Sequence, residues 1–250
     1  MRYGWRARIG HIAPAILDTS AEEFRKLLPE GVLHVGLTIG EPIQTLGGSE
    51  TAAAFERMVD AGKRLAREQV DVIVCGGAPV ALSRGPGGDA ELGERLRRET
   101  GLPVVTANGA VVEALRFLGI HSLVAVSPFL ESRNQEIRNF LQASGFRVLA
   151  TEGRGLLHNI DFASQSAEAA YHLARQTAAA HPEAEAIYIA CPRWPAVDII
   201  AALEADSGKP VVAAAAAMVW AALKVLGIGD SQPGYGRLME SLRSIPLLPQ

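Results

Sequence analysis

The sequence predicts an α/β protein made of two pseudo-symmetric parallel-sheet halves, with the functional site between them. Three observations carry that prediction. Short β-branched runs alternate with amphipathic segments along the whole chain, the pattern of parallel strands connected by helices. The stretch GLPVVTANGAVVEALRFLGI at 101–120 returns at 208–228 as GKPVVAAAAAMVWAALKVLGI with one residue inserted. Upstream of both, DVIVCGG at 71–77 lies over EAEAIYIAC at 183–191 when Asp71 is set against Glu185, and Gly77 then faces Cys191.

In chain order, strands are predicted at ARIGHIAP, VLHVGLTIG, VDVIVCGG and LPVVTAN in the first half, and at SLVAVSP, FRVLATEG, AEAIYIACP and KPVVAAA in the second. Most are rich in Val and Ile and bounded by residues that favour turns. From Glu50 to Gln69, residues Ala54, Met58, Ala61, Leu65 and Ala66 share one face while Glu56, Arg57, Lys63, Arg64 and Arg67 lie elsewhere, which predicts a half-solvated helix. The spacing of Ile137, Phe140 and Leu141 predicts another over Glu131 to Ser144, with Ser127 as N-cap, Pro128 as first residue and Gly145 as the stop. The Leu-Gly-Ile endings at 118–120 and 226–228 read as helix C-caps, and the helix at 214–227 is expected to cross back onto the first half. No Pro/Ser-rich tether separates the copies, so residues 1–117 together with 218–250 are assigned to the first half and 118–217 to the second.

Composition narrows the function classes. A chain of 250 residues, 48% of them hydrophobic, can bury a sizeable core. Its net charge of −3 comes from interspersed charges with no basic stripe, so no nucleic-acid partner is expected. The opening MRYGWRARIGHIAP has no long apolar core, and no stretch reaches the ~18 apolar residues of a spanning helix. A cytoplasmic protein without membrane contact is the expectation. The glycine loops GGSET at 47–51 and SRGPGG at 83–88 lack the strand-to-helix patterns of nucleotide loops, so no cofactor is expected. His11, His34, His121, His158, His172 and His181 show no HExxH or cysteine-paired spacing, so no metal is expected, and most read as surface or capping residues. Ser20 and Ser49 lie in turn-like settings without the GxSxG elbow of a serine hydrolase. The Ala-rich faces at 213–222 suit close helix packing within a chain or in a homo-oligomer.

The candidate chemistry centres on cysteine. Two cysteines make no disulfide framework. In open α/β sheets ligands sit beyond the carboxyl ends of the strands, where Gly77 and Cys191 both fall. A thiol suits proton transfer at carbon, because its ordinary pKa of roughly 8.5 is near enough to neutrality for either protonation state to be reached. With glycine on one side, a thiol protonates only one face of a planar intermediate. Cys75, two residues before Gly77, shares its strand face but lies about 6–7 Å deeper, and reads as structural. Pro192 and Arg193 follow Cys191, break the strand and place a cation where it would lower the thiol pKa and bind a carboxylate.

The segments IGHIAPAILDTSAEEF, DVIVCGGAP, LRFLGIHSLVAVSPFLESRNQEIRNFLQASGFRVL and IYIACPRW resemble the aspartate/glutamate racemase superfamily, and within it the arylmalonate decarboxylase and maleate isomerase branch. The resemblance runs over most of residues 7–228. It implies two α/β halves enclosing a small carboxylate substrate without metal or organic cofactor. Racemases and maleate isomerases of that family carry a cysteine in each half and the decarboxylases keep only the second, so Gly77 and Cys191 are similar to the decarboxylase pattern. Loss of carbon dioxide from a disubstituted malonate would leave an enediolate for Cys191 to protonate. On the same basis Pro14, Gly77, Ala78, Ser127, Phe129, Asn134 and Arg193 are expected to contact substrate. The chain departs from the family at Ala78 and Pro79, where the decarboxylases have small hydroxyl residues, at Phe129, where tyrosine is usual, and at Pro192, which replaces a glycine amide. Cis-trans isomerisation of a small dicarboxylate, with Cys191 as nucleophile, stays open beside decarboxylation, and two other functions do as well: a non-catalytic module that binds small carboxylates, and an amino-acid or hydantoin racemase using Cys75 and Cys191.

Overall fold

The computed structural model describes residues 3–39, 48–85 and 87–244. The first half runs β1 (Ala7–Ala13), α1 (Ser20–Leu27), β2 (Val32–Thr38), α2 (Gly48–Arg67), β3 (Val72–Cys75), α3 (Ala78–Leu82), α4 (Gly88–Thr100), β4 (Val104–Thr106) and α5 (Ala107–Phe117). The chain continues with β5 (Ser122–Phe129), α6 (Glu131–Ala143), β6 (Arg147–Leu156), α7 (Asn159–Ala163), α8 (Ala167–Ala180), β7 (Ala186–Ile189), α9 (Ile200–Ser207), β8 (Val211–Ala213), α10 (Ala214–Val225) and α11 (Gly236–Glu240). Both sheets are four-stranded and parallel, in the orders β2-β1-β3-β4 and β6-β5-β7-β8. The two orders are the same topology, which is the physical form of the sequence repeat.

Period-two alternation decides what each strand buries. On β3, Val72 and Val74 enter the core shared by both halves, whereas Ile73 and Cys75 enter a second core with Phe55, Met58 and Leu65 of α2 and Leu92 and Leu96 of α4. On β1, Ala7 and Ile9 face the shared core with Phe24 of α1, and Ile12 faces α2. Every residue of α10 from Ala214 to Leu223 is buried, because the helix lies against α5 and α1 and against β3 and β4 of the first sheet. Its alanines let these backbones approach closely. Both copies of the repeat end in the same cap: the Ile120 N–H donates to Leu115 O at 3.0 Å and the Ile228 N–H to Leu223 O at 2.9 Å.

One local expectation needs correction. Ser127 and Pro128 are not the start of α6, whose N-cap is Leu130. They continue β5, which stays paired with β6 as far as Phe129 opposite Leu156.

Polar ties join the halves near the carboxyl ends of the strands. The buried Glu23 carboxylate accepts from the Ala196 and Val197 N–H groups, each at 2.9 Å, and Thr19 Oγ1 donates to Arg193 O at 2.6 Å. Lys224 on α10 pairs with Glu113 on α5 at 2.7 Å. The Glu23 and Thr19 bonds hold α1 and the loop before it against the loop after β7.

Candidate active site

The loops that leave β1, β3, β5 and β7 converge on a pocket enclosing about 730 Å³, its open mouth included. Pro14 comes from the first of these loops, Gly77 and Ala78 from the second, Phe129 from the end of β5, and Cys191 and Arg193 from the fourth; all six line the wall.

Cys191 is held by local backbone chemistry. Its φ of +76° lies in the left-handed region that L residues seldom occupy, a strain of the order of 1–3 kcal/mol that clusters at functional sites. Pro192 is the second residue of a four-residue turn closed by the Trp194 N–H on Cys191 O at 3.0 Å, and proline's fixed φ suits that place. Within the turn the Arg193 and Trp194 amides lie close enough to the sulfur to favour its ionised form. Burial pushes the thiol up to about 11, and the two amides and the Arg193 charge offset only part of that rise. The cation expected to lower the thiol pKa is therefore present, but desolvation outweighs it. At neutral pH the group is a thiol and carries a proton to give.

Gly77 lines the same pocket with φ +78°, at the N-cap of α3. A Cβ there would lie 3.0 Å from Met58 Cε and 3.4 Å from Pro14 Cγ. Pro79 sits in the first turn of α3, where a backbone N–H has no helical acceptor in any case, and the Gly77 and Ala78 amides precede it. Asn108 Nδ2 ties this loop down by donating to Asp89 Oδ1 at 3.0 Å and to Ala78 O at 3.4 Å. Phe129 packs edge-on against Phe162, ring centroids 5.0 Å apart, and forms an aromatic wall.

Three expected substrate contacts are placed differently. Ser127 and Asn134 are buried behind the wall: Ser127 Oγ donates to Asn134 Oδ1 at 2.5 Å and accepts from the Phe129 N–H at 3.0 Å. They shape the end of β5 instead of facing the pocket. Arg193 lines the pocket, but its guanidinium is bound by the protein: Nε and Nη2 donate to Leu17 O at 2.9 and 2.5 Å, and Nη1 donates to Asn159 O at 2.6 Å and to Asn159 Oδ1. The two-pronged face that would grip a carboxylate is occupied by carbonyls from both halves. Cys75 is absent from the wall and is sealed in the core on the α2 side, where burial drives its thiol pKa far up.

Sequence reasoning missed several polar residues of the wall, His11, Asp18, Asn108 and Tyr188 among them. His11 was read among surface or capping histidines, yet it is 1% exposed. The rule that pointed to Gly77 also applies to it, since His11 is near the carboxyl end of β1. Tyr188 was hidden because IYIAC reads as a uniform apolar strand. Of the two glycine loops, Gly47 and Pro86 lie outside the described residues, as does the side chain of Ser49. Among the described residues no group of three or more His, Cys, Asp or Glu side chains is placed to hold a metal ion, and no helix is long and apolar enough to cross a membrane.

Twin parallel sheets of one topology, with a loop thiol at their junction, define a protein of the Asp/Glu racemase-like class. The chain belongs to the arylmalonate decarboxylase family, whose model matches residues 21–239. Arylmalonate decarboxylase from Bordetella bronchiseptica is 29% identical over 239 residues, covering 93% of this chain and 96% of that protein. Maleate isomerase from Pseudomonas putida is 28% identical over 182 residues, 70% of this chain and 72% of that one. Among solved structures, a liganded double mutant of arylmalonate decarboxylase superposes with a TM-score of 0.85 at 25% identity, covering 93% of this chain and 98% of that one. In that mutant a glycine is changed to cysteine and a cysteine to serine, and the two positions are as far apart in its sequence as Gly77 and Cys191 are here.

Proposed function

We propose that the protein is a cofactor-independent enzyme that decarboxylates a small disubstituted malonate, with Cys191 protonating one face of the intermediate. One observation carries this reading: the pocket wall holds a single thiol, with its pKa raised by burial, and the Gly76–Gly77 loop lines the same pocket. Breaking the bond from the α-carbon to one carboxylate releases carbon dioxide and leaves its electron pair on the remaining carboxylate as an enediolate. The amides of Gly77 and Ala78 take up charge on its oxygens. Cys191 delivers its proton to the α-carbon, and the resulting thiolate, favoured by the nearby Arg193 and Trp194 amides, regains a proton from solvent. Phe129 and Phe162 give an apolar substituent a place to sit and keep water from the carbanion.

Cis-trans isomerisation of maleate is the second reading, favoured by the maleate isomerase relative. It requires Cys191 to attack as a thiolate, and a thiol with a pKa of about 11 is ionised in only about one molecule in 10⁴ at pH 7. That ranks it below proton donation.

Cys191→Ala tests the assignment. Turnover of a malonate panel is expected to vanish while circular dichroism and thermal melting stay near wild type. Decarboxylation in deuterium oxide should give a product of one configuration. Turnover that survives in the variant removes Cys191 from the mechanism, and tight malonate binding without turnover by the wild type supports a non-catalytic carboxylate-binding module.

A further inference from the structure

We propose that His11 is a substrate-binding catalytic residue, a neutral imidazole that donates Nε2–H to the carboxylate oxygen turned toward the Gly76–Gly77 loop. The inference rests on the reading that the pocket carries a carboxylate through an enediolate.

His11 lies on the middle strand β1 and lines the pocket. Its ring is stacked on Phe24, centroids 4.4 Å apart with 24° between planes, and its Nδ1 is 3.1 Å from His34 Nε2. These two contacts fix the plane and the rotation of the imidazole. The nearest carboxylate, Asp18, has Oδ2 at 3.6 Å from Nδ1, too long for a hydrogen bond, while its Oδ1 accepts from both the N–H and the hydroxyl of Ser20. His34 is thus the hydrogen-bond partner of Nδ1. On the far side of the ring, Nε2 has no hydrogen-bond partner among the described residues. It stands 3.3 Å from where a Cβ on Gly76 would be, so any side chain there would crowd it.

The surrounding wall needs such a donor. Pro14 and Pro79 have no N–H, and Ala78 and Phe129 have no hydroxyl, so the imidazole adds a donor to the amides of the Gly77 loop, beside the Asn108 and Tyr188 side chains of the same wall. Both histidines are held neutral, since burial brings His11 down to about 3 and His34 to about 4. When His34 Nε2–H donates to His11 Nδ1, the single proton of His11 is placed on Nε2. A neutral imidazole in this tautomer stabilises charge as it develops on the enediolate without losing its own proton.

Nitrogen-15 histidine NMR on the full chain reads the tautomer directly. The Nε2–H form is expected for His11, with its proton moving downfield when phenylacetate, a carboxylate that does not lose carbon dioxide, is added. On any malonate the wild type turns over, His11→Leu should lower kcat by roughly 10²–10³-fold with little change in KM, the loss typical of one oxyanion donor. His11→Gln, whose amide Nε2 can donate from a similar place, should recover at least about tenfold of that loss. An Nδ1–H tautomer, or a folded His11→Leu variant with wild-type kcat, overturns the proposal. If His11→Leu does not fold, the tautomer and the phenylacetate response decide it. Activity surviving Cys191→Ala would sink the proton-donor reading and leave the His11 tautomer standing, so the two failures are distinguishable.

Discussion

Arg193 shows how much a neighbour in sequence can mislead about a role in space. Next to Cys191 the sequence offers a cation and no sign of its partners, because those partners are the carbonyl groups of Leu17 and Asn159, 176 and 34 residues away. The guanidinium is a strut between the loop after β1 and the start of α7, and its charge reaches the thiol only as a secondary effect. Replacing it by methionine leaves buried carbonyls without donors, which costs about 2–4 kcal/mol. For Arg193→Met, thermal melting should therefore fall by roughly 5–15 °C. A tenfold rise in KM with unchanged melting would return Arg193 to the role of carboxylate ligand. Cys191 and Gly77 were legible because the repeat aligns them and strand ends attract ligands. Ser127 and Asn134 were misplaced because their mutual hydrogen bond leaves no trace in any pattern of residues.

At the scale of elements, hydrophobic periodicity located the strands and the longer helices well, and its failures have identifiable causes. The start of α6 was placed too early since Ser-Pro is a helix-opening pair, whereas pairing with β6 holds those residues in the sheet. The Ala-rich α10 presented no amphipathic stripe, and the reason is that it is surrounded on all sides. Ala217 is fully buried there, so added volume has nowhere to go. Ala217→Leu is expected to destabilise the fold by about 1–3 kcal/mol through overpacking, measured by urea unfolding. An unchanged midpoint would mean that α10 does not pack as tightly as its burial indicates.

For the whole molecule, the two halves behave as one body because buried polar groups tie their loops and the shared core draws on both sheets. Acid should loosen that body. His11 and His34 stay neutral in the fold down to about pH 3 and 4, but in the unfolded chain each takes up a proton below about 6.5. The unfolded state then binds more protons, so their contribution to stability is full above about pH 6.5 and is lost as pH falls toward 4 and 3. The loss from this pair amounts to roughly 3–4 kcal/mol between pH 7 and pH 5. Asp18, Glu23, Asp89 and Glu204, whose carboxyls burial holds above the ordinary range, act in the opposite direction. The comparison with a variant isolates the histidines: urea titrations of His34→Gln at the two pH values should show a drop smaller by about half the histidine share. An identical drop would mean that the pair does not titrate on unfolding.

The sequence by itself determined the α/β class, the duplication and the arrival of Gly77 and Cys191 at strand ends, since these follow from local periodicity, a visible repeat and the alignment of its copies. Only the tertiary structure decided which polar groups face the pocket. It turned Arg193 into a strut, put Ser127 and Asn134 behind the wall, sealed Cys75 in the core and brought His11 and Tyr188 to the surface of the site. The reason is that a side chain's role depends on partners remote in the chain and on how far burial shifts its charge, and neither quantity is written in the spacing of residues.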